Sequence, residues 1–221
     1  MHRAPTVVAI IPAFNEESTI GPVVRVLVHV SSIDEVVVVS DGSTDKTVEI
    51  AENEGARVIE VKENKGKGQT MKRGVEETDQ EIVAFFDADL LGLSVGEVEC
   101  MLEPVVSGEL AMCVGIRDRG PIISRIGQQL PYITGERAMI REVCEGVPDR
   151  YYKGFMIESP FNYYCRTRRL PYNSVVLKGV SIRRKMQKVG FWKGLLGYAH
   201  MFYQVGISYA AVRISYLLGK F

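Results

Sequence analysis

The sequence predicts an α/β fold, a doubly wound, Rossmann-like and mostly parallel sheet with helices on both faces. Three observations predict it. Short β-branched segments alternate with helical patterns through the first half of the chain. The strand segments are apolar on both faces, as expected for strands that helices cover on both sides. Strand–helix alternation also produces right-handed crossovers between parallel strands.

The predicted elements follow one another in order. The strands are TVVAII, EVVVVS, RVIEV, EIVAFF and LAMCVG. The helices between them are EESTIGPVVRVLVHV, DKTVEIAENEG, GQTMKRGVEETD and SVGEVECMLEPVVSG. We expect Gly55 to close the second helix, and Asp45 and Ser94 to cap the second and the fourth.

The loops after the first four strands are polar. They are PAFNEE, SDGSTDKT, KENKGKGQT and DADLLG. Because ligands of such sheets bind beyond the carboxyl ends of the strands, the four loops predict a polar binding site at one edge of the sheet.

The fourth loop places Asp87 and Asp89 directly after a segment that is predicted to be a buried strand. One interpretation is a strand-end turn in which an aspartate caps the next helix. The other is a clamp for a metal ion and a diphosphate, because two such close carboxylates repel each other unless a cation lies between them. Mg²⁺ typically binds one or two carboxylates together with substrate phosphates.

Two other loops offer further polar groups. Asp41 is placed to accept hydrogen bonds from a base or ribose. The glycine-rich, basic stretch around Lys65 and Gly66 is either a solvated turn or a phosphate-binding helix start. Neither GxxxxGK[ST] nor GxGxxG occurs, which argues against an ATPase or a NAD enzyme.

The segments IPAFNEE, SDGSTDKT, NKGKG, DADL and TGERAMIRE resemble, in order and spacing, family 2 glycosyltransferases with the GT-A fold. Within that family the sequence resembles polyprenyl- and dolichyl-phosphate sugar synthases and, more distantly, glucosyl-3-phosphoglycerate synthases. The resemblance covers residues 5–165. It implies a UDP- or GDP-sugar as donor and Mg²⁺ or Mn²⁺ as cofactor.

The resemblance also implies roles for particular residues. The residues that would line the nucleoside pocket are Pro12, Ala13, Asn15, Glu16 and Asp41. Lys65 and Gly66 would approach the ribose or the diphosphate. Asp87 and Asp89 would form the DxD motif and bind the metal, with Asp89 the firmer ligand and part of the catalytic set. The sequence departs from the synthase pattern at Leu91, where a polar residue is common.

The stretch TGERAMIRE would form the acceptor side. Thr134, Gly135 and Glu136 are predicted to open a helix with Arg137 in its first turn. Glu136 and Arg137 then lie at the mouth of the sugar site and belong to the catalytic set; the alternative is a capped helix start with surface charges. Glu158 is either a helix-start residue or a partly buried carboxylate with a raised pKa, and the resemblance favours a catalytic role in binding the sugar or acceptor.

Charge is distributed unevenly along the chain. Residues 159–221 contain eleven Lys and Arg and no acidic residue, whereas residues 1–158 contain 16 basic and 27 acidic residues. We therefore predict a catalytic domain over residues 1–180 and a basic, amphipathic helical segment over 181–221. In that segment a polar stripe formed by His200, Gln204 and Ser208 favours a helix in the membrane interface over one packed on the domain or one that spans the membrane.

These observations lead to one main hypothesis and two alternatives. The main one is a metal-dependent glycosyltransferase that acts on a membrane-associated acceptor such as a polyprenyl phosphate. The alternatives are a soluble enzyme acting on a small phosphorylated acid such as 3-phosphoglycerate, and a non-catalytic nucleotide-sugar binder. The scattered cysteines predict a reducing, cytoplasmic compartment. The basic C-terminal segment predicts that the enzyme is peripheral to an anionic membrane surface. No nucleic-acid module is recognised, and the oligomeric state stays open.

Overall fold

The computed structural model describes residues 3–117, 134–152 and 157–182. Their strands are β1 (Val7–Ala13), β2 (Glu35–Asp41), β3 (Arg57–Val61), β4 (Ile82–Phe85), β5 (Leu90–Leu91), β6 (Met112–Arg117), β7 (Arg137–Ile140), β8 (Tyr172–Leu177) and β9 (Ser181–Ile182). Seven strands of this part of the chain form one sheet in the order β3-β2-β1-β4-β7-β6-β8. Neighbours pair in parallel except at β7, which runs antiparallel to β4 and β6. The predicted mostly parallel α/β sheet is thus confirmed.

The helices connect these strands as predicted for the first half. They are α1 (Ile20–Val28), α2 (Thr47–Asn53), α3 (Lys67–Glu76), α4 (Val95–Val106), α5 (Arg141–Glu145) and α6 (Glu158–Arg168), with a 3₁₀ turn at Asp149–Tyr152. Ser94 caps α4, since its hydroxyl accepts a hydrogen bond from Glu97 N. Gly55 follows α2 with a φ of 96°, as a closing glycine does. Asp45 accepts a hydrogen bond from Thr47 N but lies one residue before the capping position.

Apolar side chains pack on both faces of the sheet. One layer brings α1 and α4 onto the sheet and contains Ile11, Val24 and Leu102. The other brings α3, α5 and α6 onto the opposite face and contains Met71 and Phe161. Helices therefore cover both faces, which explains why the strand sequences are apolar throughout rather than alternating.

The stretch RAMI is a strand and not the start of a helix, so the predicted helix at Thr134–Arg137 is wrong. Arg137–Ile140 forms β7, which fills the space between β4 and β6, and the helix begins only at Arg141. Ala138 and Met139 are fully buried there. Hydrogen bonding to the edges of two neighbouring strands stabilises this short segment as a strand. Because those strands are distant in sequence, the local sequence does not predict this.

The described fold extends to Ile182, where β9 pairs antiparallel with β5. The basic, amphipathic segment predicted over 181–221 lies almost wholly outside the described residues, and its division from the catalytic domain stays a prediction. Within the described ranges, no helix combines the length and the apolar character that crossing a membrane requires.

Candidate active site

The loops after β1 and β2 are joined by backbone and side-chain hydrogen bonds. Asn15 has a φ of 54°, a conformation that asparagine tolerates better than most residues. Its side-chain oxygen accepts a hydrogen bond from Thr44 N at 2.8 Å, and its backbone N–H donates to Ser43 Oγ at 3.1 Å. Glu16 N donates to Thr47 Oγ1 at 2.8 Å. Two predicted site loops thus form one unit beyond Pro12 and Ala13, the last residues of β1.

Asp41 joins the second loop to the third. It ends β2, its residue surface is 4% exposed, and its two carboxylate oxygens accept hydrogen bonds from Lys65 N and Gly66 N, each at 2.8 Å. Gly66 has a φ of 87°, which favours glycine at this point. Asp41 therefore orients the basic loop. Its contact with the nucleoside stays a prediction, and each carboxylate oxygen can still accept a second hydrogen bond.

A polar cavity of about 540 Å³ adjoins this loop. Its walls come from the ends of β2 and β3 and from α3, and include Asp41, Glu60, Lys65, Gln69 and Arg73. A larger cavity, of about 770 Å³, lies at the opposite edge of the sheet, near the start of β4 and the end of β7. None of the predicted site residues lines that larger cavity, so it does not mark the predicted site.

Lys67 joins the third loop to the fourth. It is the first residue of α3, and its ammonium lies 2.6 Å from Asp87 Oδ1 and 3.5 Å from Glu158 Oε1. Burial alone would raise the pKa of Asp87, but the adjacent Lys67 charge outweighs it and holds that pKa below its usual range. Asp87 is therefore an ionised carboxylate that already has one cation beside it.

Asp89 lies in the turn between β4 and β5 and is half-buried. The side chain of Leu91, which is 43% exposed, offers no ligand atom. In the described part of the chain no three His, Cys, Asp or Glu side chains converge on a possible metal position. Mg²⁺ is usually bound by one or two carboxylates, with phosphate oxygens and water at its other coordination sites, and Mn²⁺ also takes oxygen ligands. The two carboxylates Asp87 and Asp89 fit this coordination.

Glu136 precedes β7 and is fully buried. The Thr134 hydroxyl donates a hydrogen bond to Glu136 Oε2, and Arg117 Nε lies 3.8 Å from the same oxygen. The other oxygen, Oε1, is buried and has no hydrogen-bond partner among the residues that the structure describes. Burial first, and then the negative charge of Asp87, raise the pKa of Glu136. The carboxylate predicted at the mouth of the sugar site is thus enclosed by protein.

Arg137 is also fully buried, contrary to its predicted place at the mouth of the site. Its guanidinium donates to the carbonyl oxygens of Thr134 at 2.5 Å and Glu158 at 3.2 Å, and lies 5.6 Å from the ring centre of Phe161. As the first residue of β7, it holds the loop before that strand against the start of α6. Its guanidinium therefore holds two segments of backbone together, and its predicted catalytic role stays a prediction.

Glu158 is the first residue of α6 and is 7% exposed. The structure therefore shows both the helix start and the burial that the sequence indicated. The predicted raised pKa and the catalytic role of Glu158 stay predictions. Its position beside Lys67 connects α6 to the DADL loop.

Two cations at this site were not predicted from the sequence. Lys67 belongs to the glycine-rich stretch KENKGKGQT, of which only Lys65 and Gly66 were predicted to be site residues. The signal that could have identified it is its position at the start of a helix that follows a strand. Arg117 ends β6, and no local pattern could have identified it, because its contact with Glu136 depends on the antiparallel strand β7.

Residues 8–162 match the family model described as glycosyl transferase family 2. The match spans most of the chain, and the chain belongs to this family. It is a nucleotide-sugar-dependent glycosyltransferase with a GT-A-like fold.

Solved structures with the same fold include glucosyl-3-phosphoglycerate synthase from Mycobacterium tuberculosis. Its complex with Mn²⁺, UDP-glucose and phosphoglyceric acid superposes with a TM-score of 0.71 at 26% identity, over 82% of this chain and 72% of that one. Its complex with Mg²⁺ and UDP gives a TM-score of 0.70 at 26% identity, over the same shares of the two chains. A comparison with curated proteins gave no significant match.

Proposed function

We propose that this protein transfers a sugar from a nucleotide-diphosphate sugar to a small phosphorylated acid, with Mg²⁺ or Mn²⁺ as cofactor. The observation that carries the proposal is the group of facing charges at the carboxyl edge of the sheet, where Lys67, Asp87 and Glu158 meet. The structural relatives that bind UDP-glucose and phosphoglyceric acid support the acceptor class. This proposal favours the soluble alternative over the membrane-associated main hypothesis.

The donor side is formed by the joined loops. The residues proposed to hold the nucleoside and ribose are Pro12, Ala13, Asn15, Glu16, Asp41, Lys65 and Gly66. Asp87 and Asp89 are proposed as the protein ligands of the metal. When bound, the metal would stabilise the negative charge of the departing nucleotide diphosphate.

The acceptor side is formed by the loop before β7 and the start of α6. A phosphorylated acid has at least two negative charges, and Arg117 and Lys67 supply positive charge there. If the acceptor reacts through a hydroxyl, a base is needed, and Glu136 and Glu158 are the candidates. The raised pKa of Glu136 suits it better to accept a proton near neutral pH than an ordinary carboxylate.

A polyprenyl phosphate is the second candidate acceptor. The observation that favours it is the run of eleven basic and no acidic residues over 159–221. A phosphate monoester is largely ionised near neutral pH, so its oxygen needs no protein base. The prediction of a cytoplasmic enzyme peripheral to the membrane belongs to this candidate.

A panel of acceptors tests the proposal. The full chain is incubated with Mn²⁺, UDP- and GDP-sugars, and either 3-phosphoglycerate, glycerate without the phosphate, or a polyprenyl phosphate, and products are identified by mass. We expect a glycosylated phosphorylated acid and no product from glycerate. Product from the polyprenyl phosphate alone would establish the second candidate instead.

A further inference from the structure

The ammonium of Lys67 lies against Asp87, one of the two carboxylates proposed to bind the metal. The two atoms Lys67 Nζ and Asp87 Oδ1 are 2.6 Å apart, and the side chains are 25% and 21% exposed. Gly135 closes over the pair, because a Cβ placed on it would lie 2.6 Å from Lys67 Nζ and closer still to Asp87 Oδ1. The side of the carboxylate at Oδ1 is therefore occupied by this cation and by the backbone of Gly135.

A divalent ion and this ammonium compete for the same carboxylate. A metal bound by Asp87 would lie about 2.1 Å from one of its carboxylate oxygens. The two positive charges of the metal and the one of the Lys67 ammonium would then lie within a few ångströms of each other. The half-buried setting screens that repulsion less than water does. Metal binding to Asp87 thus requires Lys67 to move.

Lys67 has a second carboxylate within reach. Glu158 Oε1 lies 3.5 Å from its Nζ, and Glu158 is held at the start of α6, where its backbone carbonyl accepts from Arg137. The backbone of Lys67 is fixed as the first turn of α3, so a change in its side chain alone exchanges one carboxylate for the other. The ammonium need not go into solvent.

We propose that Lys67 is an exchangeable counter-ion: it pairs with Asp87 in the donor-free enzyme and moves to Glu158 and the donor diphosphate when the metal binds. This inference rests on the proposed function. Its consequence is that the metal binds weakly alone and tightly together with a nucleotide diphosphate, whose negative charge attracts the ammonium away from Asp87. Lys67 therefore makes binding of metal and donor cooperative.

Binding of Mn²⁺ to the full chain, measured by electron paramagnetic resonance of the free ion, tests this without any turnover. We expect Lys67→Met to bind Mn²⁺ alone about tenfold or more tightly than the wild type, since a nearby positive charge is removed. We also expect the gain in Mn²⁺ affinity on adding UDP to shrink in this variant. Lys67→Arg keeps the charge and should bind Mn²⁺ alone as weakly as the wild type does.

Lys72→Met is the matched control, because Lys72 is on the same helix with the same 25% side-chain exposure but pairs with Glu76 and Asp149. Because Lys72 also lines the polar cavity near Asp41, the control applies to Mn²⁺ alone, whose binding should be unchanged. Glu158→Gln removes the second carboxylate, so UDP should improve its Mn²⁺ affinity less than it does for the wild type. This variant leaves Lys67 in place and tests the exchange even if Lys67→Met proves unstable.

The outcomes separate the inference from the proposed function. If the wild type binds Mn²⁺ with UDP but Lys67→Met gains no affinity for Mn²⁺ alone, the exchange is wrong and the metal site stands. An equal gain in Lys72→Met would reduce the effect to general charge and would also overturn the exchange. If the wild type binds no Mn²⁺ even with UDP, the metal site and the inference both fail.

Discussion

Arg137 places a positive charge inside the protein at the start of β7, with its side chain closed to solvent. Such a group is stable only because it donates to two carbonyl oxygens and lies near buried carboxylates. Its guanidinium also lies near the face of Phe161, a contact that favours arginine. At the scale of residues, the candidate site therefore contains a fully buried cation close to its acids.

Arg137→Ala should lower both stability and turnover. Removing one partner of a buried charged group costs about 3 kcal/mol or more, and the loop that carries Glu136 loses its anchor. We expect a lower melting temperature and a turnover number reduced more than donor affinity, because the affected loop is on the acceptor side. Thermal unfolding and steady-state kinetics measure the two effects.

Arg141→Ala is the control for this prediction. Arg141 also donates to two backbone carbonyls, those of Gln80 and Val75, but it lies at the opposite edge of the sheet. The Arg141→Ala variant should have a lower melting temperature, but its turnover number should not fall more than its donor affinity. Equal kinetic effects in the two variants would assign Arg137 to stability alone.

Glu136→Gln should change how stability depends on pH. The folded-state pKa of Glu136 is raised, chiefly by burial, so above the ordinary Glu pKa the folded state binds more protons than the unfolded one. Stability then falls as pH rises through this window, by about 1.4 kcal/mol for each unit by which the pKa is raised. The variant lacks this slope, so its melting temperature relative to the wild type should increase between pH 4 and pH 7.

Glu145→Gln provides the comparison, because Glu145 is an exposed acid on α5. Its melting temperature should follow the wild type across the same pH range. A constant difference between Glu136→Gln and the wild type at every pH would contradict the raised pKa.

At the scale of elements, the first half of the chain was predictable because each segment follows a local rule. The β-branched strands, the Ser94 cap and the closing Gly55 all depend on neighbours in sequence. The strand β7 was not predictable, because its partners β4 and β6 are distant in sequence and the pairing is antiparallel. Because β7 was predicted as a helix start, Glu136 and Arg137 were expected near the surface, whereas both are buried in the structure.

Gly135→Ala should disturb the site through the same loop. A Cβ there would overlap Asp87 and approach Lys67 Nζ to 2.6 Å, so the loop or the ion pair has to shift. We expect weaker donor binding and a loss of about 1–3 kcal/mol in stability, as in other overpacked positions. Donor affinity by calorimetry and thermal unfolding measure the two effects.

Gly96→Ala is the matched control, because a Cβ on this glycine of α4 meets nothing within 4 Å. It should leave donor binding intact and stabilise the helix by about 0.5–1 kcal/mol. Wild-type donor affinity in Gly135→Ala would show that the loop before β7 is no part of the site.

At the scale of the whole molecule, the position of β9 determines where the chain can be shortened. Ser181 and Ile182 pair with Leu91 and Leu90, directly after Asp89. A truncation at the predicted domain boundary, after Val180, would remove this pairing beside the acidic pair. A chain ending after Ile182 keeps it and removes only the basic segment.

The second candidate, a membrane acceptor, predicts that the full chain floats with anionic vesicles at low salt and that the chain ending after Ile182 does not. Five basic residues over 183–193 each contribute about 1 kcal/mol near an anionic surface. High salt should release part of the bound protein, because it screens this attraction. A full chain that never floats would remove the membrane acceptor from consideration.

A variant of the full chain provides the control for vesicle binding. Replacing the five basic residues Arg183, Arg184, Lys185, Lys188 and Lys193 with Gln keeps the length and the apolar residues of the segment. It should lose the salt-sensitive part of the binding. If it binds as the wild type does, apolar contacts alone hold the segment to the vesicle.

The most direct test of the account is sugar transfer by wild type and Asp89→Ala, with Mn²⁺ or with a chelator, in the presence of donor and phosphorylated acceptor. Because the metal stabilises charge on the leaving diphosphate by several kcal/mol, we expect Asp89→Ala to be slower by roughly a thousandfold, and the chelator to stop the wild type. Asp79→Ala, which removes an exposed acid at the opposite edge, should retain full activity. Transfer by Asp89→Ala at the wild-type rate, or full activity in chelator, would contradict the account.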